Sequence, residues 1–147
     1  MKNHFLLILL FVCFQIPLKT AAQTANDIAG LWWTEDKKAK VKIYRQGNKY
    51  FGKLADLTQP LNDEGEPKRD KNNPETELRS RPLEGLVILS NLEYEGGNKW
   101  EDGDIYDPSS GKEYSCELTL EDANTLTVRG YLGFSLLGRS QTWTRVK

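Results

Sequence analysis

Along most of the chain apolar and polar residues alternate one by one, and almost nowhere do they recur at helical spacing. EYSCELTL puts Tyr114, Cys116, Leu118 and Leu120 on one face and Ser115, Glu117 and Thr119 on the other, the pattern of a half-buried strand. NTLTVRGYL sets Leu126 and Val128 against Thr125, Thr127 and Arg129, and AKVKIYRQ sets Val41 and Ile43 against Lys40 and Lys42. Turn signals separate these runs: Gly47-Asn48, Gly96-Gly97-Asn98, Asp107-Pro108-Ser109-Ser110-Gly111 and Asp122-Ala123-Asn124. The alternation predicts eight strands, near 30–35, 38–46, 49–57, 86–94, 99–106, 112–120, 125–132 and 139–146. Short strands joined by tight turns predict an all-β fold, a single antiparallel up-and-down barrel, because closure removes exposed sheet edges.

One connection breaks the rhythm. Residues 58–85 form a gap far longer than a hairpin loop, and such long loops are functional or disordered more often than not. Within it DKNNPETELRSRPLEG, residues 70–85, concentrates Asp, Asn and Arg. Asn73 before Pro74, with Glu75 and Glu77 following, predicts a short capped helix that ends at Arg81, restricted by Pro82. Asp70 and Asn72 are suited to Asx turns, while Arg79 and Arg81 can pair with loop acids or with a ligand carboxylate or phosphate.

The amino terminus changes the picture of what chemistry is available. A basic start at Lys2, an apolar run from Phe5 to Leu18 and Thr20-Ala21-Ala22 form a secretory signal pattern, so residues 1–22 are expected to be removed and 23–147 to form one domain. The protein is then periplasmic or secreted. Cys13 is not expected to be lipidated, since Val12 stands where a small residue is needed. Cleavage removes the sole histidine, His4, together with Cys13, leaving Cys116 as the remaining cysteine. Ser-His-Asp and Cys-His catalysis, zinc sites built on His or paired Cys, and an internal disulfide are thereby excluded. The remaining 18 Lys and Arg stand against 21 Asp and Glu, which argues against nucleic-acid binding. No later apolar run is long enough to span a membrane.

Gly30-Leu31-Trp32 at the first strand resembles the Gly-x-Trp pattern of lipocalin-like (calycin) barrels. In those folds the Trp plugs the closed end and an Arg of the last strand packs over it; Arg145 in TWTRVK stands at the matching position. A closer resemblance spans nearly the whole chain after residue 22. GLWWTED, KVKIYRQG, YFGKL, GEPKRDKNNP, LRSRPLEGLVIL, KWEDGDIYDPSSGKEYS and VRGYLGFSLLGRSQTWTRV resemble, in order, the bacterial domain-of-unknown-function family 2147 (DUF2147). The resemblance implies an exported small domain with a lipocalin-like barrel and no established activity. Gln46 stands where such sequences often carry a Cys, which leaves Cys116 without the partner a disulfide would need.

Other motifs carry less. GFSLLGRS, Gly133 to Ser140, falls short of a phosphate-binding loop: Arg139 replaces the Lys, and a strand rather than a helix is predicted to follow. Glu101, Asp102 and Asp104 cluster near Trp100, and Asp63, Glu64 and Glu66 in the long loop; paired carboxylates support acid–base hydrolysis, though solvated turns explain both clusters. Neither fits a calcium loop, and no metal or cofactor is expected. Arg139, Gln141, Trp143 and Arg145 share one face of the last strand, but alternation does not say whether that face lines the barrel. The expected function is non-catalytic binding of a small, partly apolar or anionic ligand in the barrel mouth. Trp100, Tyr106 and Trp143 would supply walls, and Asp70, Asn72, Arg79, Arg81 and Arg139 polar contacts. The alternatives are an interaction module that docks an envelope protein through the 58–85 loop, and a carboxylate-type hydrolase. The oligomeric state is not legible.

Overall fold

Eight strands form in sequence order: β1 (Gly30–Trp33), β2 (Ala39–Gln46), β3 (Lys49–Leu57), β4 (Val87–Gly96), β5 (Lys99–Asp107), β6 (Lys112–Asp122), β7 (Thr125–Tyr131) and β8 (Gly138–Arg145). The structure, a computed structural model, describes residues 24–133 and 137–147; residues 1–23, with the expected signal segment 1–22, and residues 134–136 lie outside the described residues. Every strand pairs antiparallel with its sequence neighbours, and β1 pairs with β8 through Trp32–Arg145 and Trp33–Thr144, closing the barrel. The predicted strands are therefore all present, with boundaries displaced by a few residues at most.

The inward sets follow the alternation. Val41 and Ile43 of β2, Cys116, Leu118 and Leu120 of β6, and Leu126 and Val128 of β7 are buried. Bulges break the parity where the sequence pattern is weakest. In β5 the register shifts between Trp100 and Gly103, with Asp102 in the left-handed region at φ 57°. As a result Gly103 is buried, while Asp102 is exposed and Asp104 only half-buried. Gly103 must be glycine: a Cβ there would stand 2.5 Å from Leu92 Cγ.

One end of the barrel is plugged. Residues 24–29 turn across it and bury Ile28. Trp32 Nε1 donates to Ile28 O at 2.9 Å, Tyr50 OH to Asn26 Oδ1 at 3.0 Å, and Trp100 Nε1 to Ala25 O at 3.3 Å. Arg145 lies 4.2 Å from the centre of the Trp32 ring and donates to the carbonyls of Asp27, Ala29 and Ala123. Gly30, at φ 138°, makes room for this arginine: a Cβ would meet Arg145 Nη1 at 2.6 Å. Trp100 packs edge-on to Tyr50 and tilted against Tyr94, so aromatic rings back the plug.

The expected helix in the long loop is a single 3-10 turn, Thr76–Leu78, with Glu75 rather than Asn73 at its cap position and no side-chain cap bond. Asn73 Oδ1 instead accepts from Glu75 N in an Asx turn, and its amide group is committed elsewhere.

Candidate functional site

The 58–85 loop is fastened to β5 by one buried carboxylate. Asp70 is 0% exposed. Its Oδ2 accepts from Arg81 Nε at 2.9 Å, Arg81 Nη2 at 2.8 Å and Asn73 Nδ2 at 2.8 Å; its Oδ1 accepts from Tyr106 OH at 2.6 Å. A buried carboxylate is tolerable only with such a complete set of donors. The Tyr106 hydroxyl also accepts from Asn73 Nδ2 at 3.1 Å, and the Arg81 guanidinium lies 5.8 Å from the Tyr106 ring centre. Burial, and then the hydrogen bond to Asp70, push the Tyr106 phenol above its ordinary value.

Neighbouring polar residues fasten the same loop. Asn72 Nδ2 donates to the carbonyls of Pro108 and Ser109 at 3.1 and 2.8 Å, docking on the β5–β6 turn. That approach needs Gly111, where a Cβ would lie 1.9 Å from Asn72 O. Asp107 holds the turn by accepting from Ser109 and Ser110. Burial alone would raise its carboxyl, but these bonds outweigh it and hold the group below the usual range. Arg79 Nε donates to Asn73 O at 2.7 Å.

Under the fastened loop the barrel is not filled. A cavity of about 1600 Å³ extends from the open half of the barrel to the loop. Its depth is apolar, with Ala39, Ile88, Val128 and Trp143 all buried. Ile105, Tyr106, Tyr114 and Tyr131 form the upper wall. Burial, followed by the nearby Glu117 carboxylate, raises the Tyr131 phenol. The polar rim is mostly cationic: Lys37, Lys38, Lys68, Arg69, Lys71, Arg79 and Arg139 stand against Asp36, Asp63, Glu66 and Asp107.

The last strand settles its own facing. Trp143 is buried, Arg145 covers Trp32, and Gln141 and Arg139 line the cavity, so this is the inward face. Trp143 Nε1 donates to Gln141 Oε1 at 3.1 Å. Arg139 is exposed at the rim, without a carboxylate in ion-pair reach among the described residues.

Asn72, Arg79, Tyr106, Arg139 and Trp143 thus line one cavity, and three of the sequence-selected residues do not. Trp100, expected in the wall, sits in the plug at the opposite end, because Lys99 and Trp100 enter β5 beside Leu118 and the amino-terminal segment. Asp70 and Arg81 neutralise each other in the clasp instead of facing the cavity. Glu101, Asp102 and Asp104 are absent from the lining, since the β5 bulge turns glycine inward in their place; Asp63 and Glu66 reach it only at the loop rim. Sequence reading passed over Ile88, Val128 and Tyr114 as cavity residues. Alternation placed Val128 and Tyr114 on inner faces without distinguishing the filled half from the open half. No cluster of His, Cys, Asp and Glu able to hold a metal occurs among the described residues, and no described helix is long and apolar enough to cross a membrane.

The family model for an uncharacterized protein conserved in bacteria, DUF2147, matches residues 30–145, from the glycine beside Arg145 to Arg145 itself. The chain belongs to the DUF2147 family. Among solved structures, this DUF2147 barrel is similar to HP1028 from Helicobacter pylori, described as belonging to the lipocalin family. The TM-score is 0.71 at 23% identity over 81% of this chain and 82% of that one. That likeness establishes a lipocalin-like fold. No curated protein matches the DUF2147 chain in sequence.

Proposed function

We propose that this DUF2147 protein is a non-catalytic binding protein that holds a small anionic amphiphile in the open half of its barrel. The carrying observation is the cavity of about 1600 Å³, with an apolar floor around Trp143 and Val128 and a rim of seven cationic and four acidic residues. Ligand sites of this kind combine an apolar body with a few placed polar groups. The apolar part of the ligand would replace water against Ile88, Val128 and Trp143, and its carboxylate, sulfonate or phosphate would meet Arg139, whose charge is unmatched among the described residues. The clasp at Asp70 holds the loop that shapes the mouth, so Asp70 and Arg81 position Arg79 and Asn72 rather than touching ligand. Residues 1–22 are read as a secretory signal that delivers the protein to the periplasm or medium, and sequencing the amino terminus of protein recovered from cells tests that reading.

Native mass spectrometry of protein from its own source, compared with its denatured mass, tests carriage. A reproducible adduct lost on denaturation supports it. Titration with an anionic naphthalene sulfonate, read by quenching of Trp143 in a Trp143→Phe comparison, tests the site. Saturable binding abolished by Gly130→Phe supports the cavity; a stoichiometric apo protein that binds no such probe overturns it. A protein partner docking on residues 58–85 would instead leave probe binding absent and be blocked by changes on the loop's outer surface.

A further inference from the structure

Residues 59–82 cross the open end of the barrel, where Asn62, Pro67, Arg69 and Arg79 line the cavity, yet this segment buries no apolar side chain. Its two buried residues are Asp70 and Asn73, which are also the buried polar residues of the described chain. A long segment held without apolar burial belongs to the low-stability part of a fold. What fastens it therefore decides whether it moves, and how.

Inside the segment the bonding is dense. Lys68 N donates to Pro60 O and Leu83 N to Lys68 O, both at 2.9 Å. Asp70 N donates to Arg81 O at 3.0 Å, and Arg69 faces Pro82 in an antiparallel bridge. Arg69 Nη1 donates to Ser80 O, Arg79 Nε donates to Asn73 O, and the Asp70–Arg81 ion pair joins the two arms. The roots are fixed to the barrel as well: Thr58 N donates to Lys38 O, Gly85 N to Leu54 O and Leu54 N to Leu86 O.

Against the far wall the fastening is one small polar patch at the end of β5. Tyr106 OH donates to Asp70 Oδ1 and accepts from Asn73 Nδ2, and Asn72 Nδ2 donates to the carbonyls of Pro108 and Ser109. Among the described residues no other hydrogen bond or ion pair joins residues 59–82 to a strand or turn of the barrel. Releasing this patch trades a few hydrogen bonds for bonds to water, and uncovers no buried apolar side chain of the segment. Asp70 keeps Arg81 on its own side throughout, so its charge stays paired when the patch opens.

We propose that residues 59–82 form a preassembled lid that swings as one body about its roots when the Tyr106–Asn72 patch releases, and that this swing admits and discharges the amphiphile assigned above. The passage of ligand rests on the binding reading; the swing does not.

Paired spin labels test the swing with no ligand present. Glu64→Cys with Glu95→Cys reports lid against barrel, and Glu64→Cys with Glu77→Cys reports distance within the lid; all three sites are exposed, and Cys116 is buried away from the label. Tyr106→Phe combined with Asn72→Ala should raise a second lid-to-barrel distance about tenfold in population over the parent, and leave the distance within the lid unchanged. Tyr106→Phe alone, which removes a single hydroxyl, should raise it less. An unaltered lid-to-barrel distance in the combined variant, or equal broadening of both pairs, as local unfolding would give, overturns the inference. In stopped-flow mixing with the anionic naphthalene sulfonate, the combined variant should take up and release the probe about tenfold faster than the parent. Equal rates overturn the gating. A swing in a protein that binds no probe upholds the lid and removes the binding reading instead, so the two fail separately.

Discussion

The two ends of this barrel are built from similar residues to opposite effect. At the closed end Trp32, Trp100 and Tyr50 each spend their polar atom on the amino-terminal segment, and Arg145 spends its guanidinium on three carbonyls and a ring. At the open end Trp143 turns its indole N–H to a neighbouring Gln141, two residues further Arg139 has no acidic partner among the described residues, and the cavity opens beside Val128. A tryptophan and an arginine thus plug the barrel where β1 meets β8, as Trp32 and Arg145, and line its cavity on β8 alone, as Trp143 and Arg139. Stability is stored where every donor is matched, and the proposed function places recognition where some are not.

Predictions that would break this contrast run from the closed end to the open one. Trp32→Ala removes the plug and the platform under Arg145, and should cost about 3–5 kcal/mol in denaturant unfolding. A cost near zero would mean that the closed end is not where the fold is held. Asp70→Ala leaves Arg81 and the Tyr106 hydroxyl without their acceptor. Because Arg81 is partly exposed, the cost should be about 1–3 kcal/mol, with faster trypsin cleavage at Lys68, Lys71 and Arg79.

Between the two ends sits Cys116, fully buried, its thiol pushed up to about 12 by burial first and then by Glu117 and Asp104. A thiol that stays protonated in the folded chain but ionises when unfolded contributes stability that is fully present below the unfolded value. That stability is lost as pH rises toward 12. Unfolding stability should therefore fall between about pH 9 and 12, less steeply in Cys116→Ala, and iodoacetamide should label Cys116 only after unfolding. Raised phenols at Tyr50, Tyr106 and Tyr131 add to the alkaline fall in the same direction.

The smallest effects on stability belong to the open end and the largest there on binding. Gly130→Phe projects a ring into the cavity; its Cβ would sit 3.3 Å from Ile105 Cγ2, tight enough to need a small shift. Stability should change by less than about 1.5 kcal/mol while probe binding is lost. Arg139→Gln should change stability by under about 0.5 kcal/mol and weaken an anionic probe about fivefold, with a neutral analogue unaffected. Equal weakening of both would assign Arg139 a packing role and remove charge from the ligand's description.

Much of this was legible in the chain itself. Strict alternation in β2, β6 and β7, and Gly-, Asn- and Asp-bearing turns between strands, carried eight strands and closure, because a side-chain period of two is a local property. Gly30, Trp32 and Arg145 announced the plugged end through their resemblance to the lipocalin pattern, and the geometry of Gly30 explains why that glycine belongs to it. The site was only half legible. Tyr106, Arg139 and Trp143 belong to one cavity although they lie on two strands, whereas Trp100, equally aromatic and on an inward face, belongs to the plug. Height along the barrel axis separates them, and alternation carries no information about height.

What the sequence by itself determined is the period of each segment, and with it the barrel and its turns. Tertiary structure alone decided which face of β8 points inward, where β5 slips by one residue so that Gly103 replaces a carboxylate, and that Asp70 closes on Arg81 and Tyr106 rather than on solvent. Each of these is a choice between states that look alike over a few residues. It is made by a partner many positions away: by the ring closure that pairs Trp32 with Arg145, by Leu92 against Gly103, and by a phenol 36 residues from the carboxylate it meets.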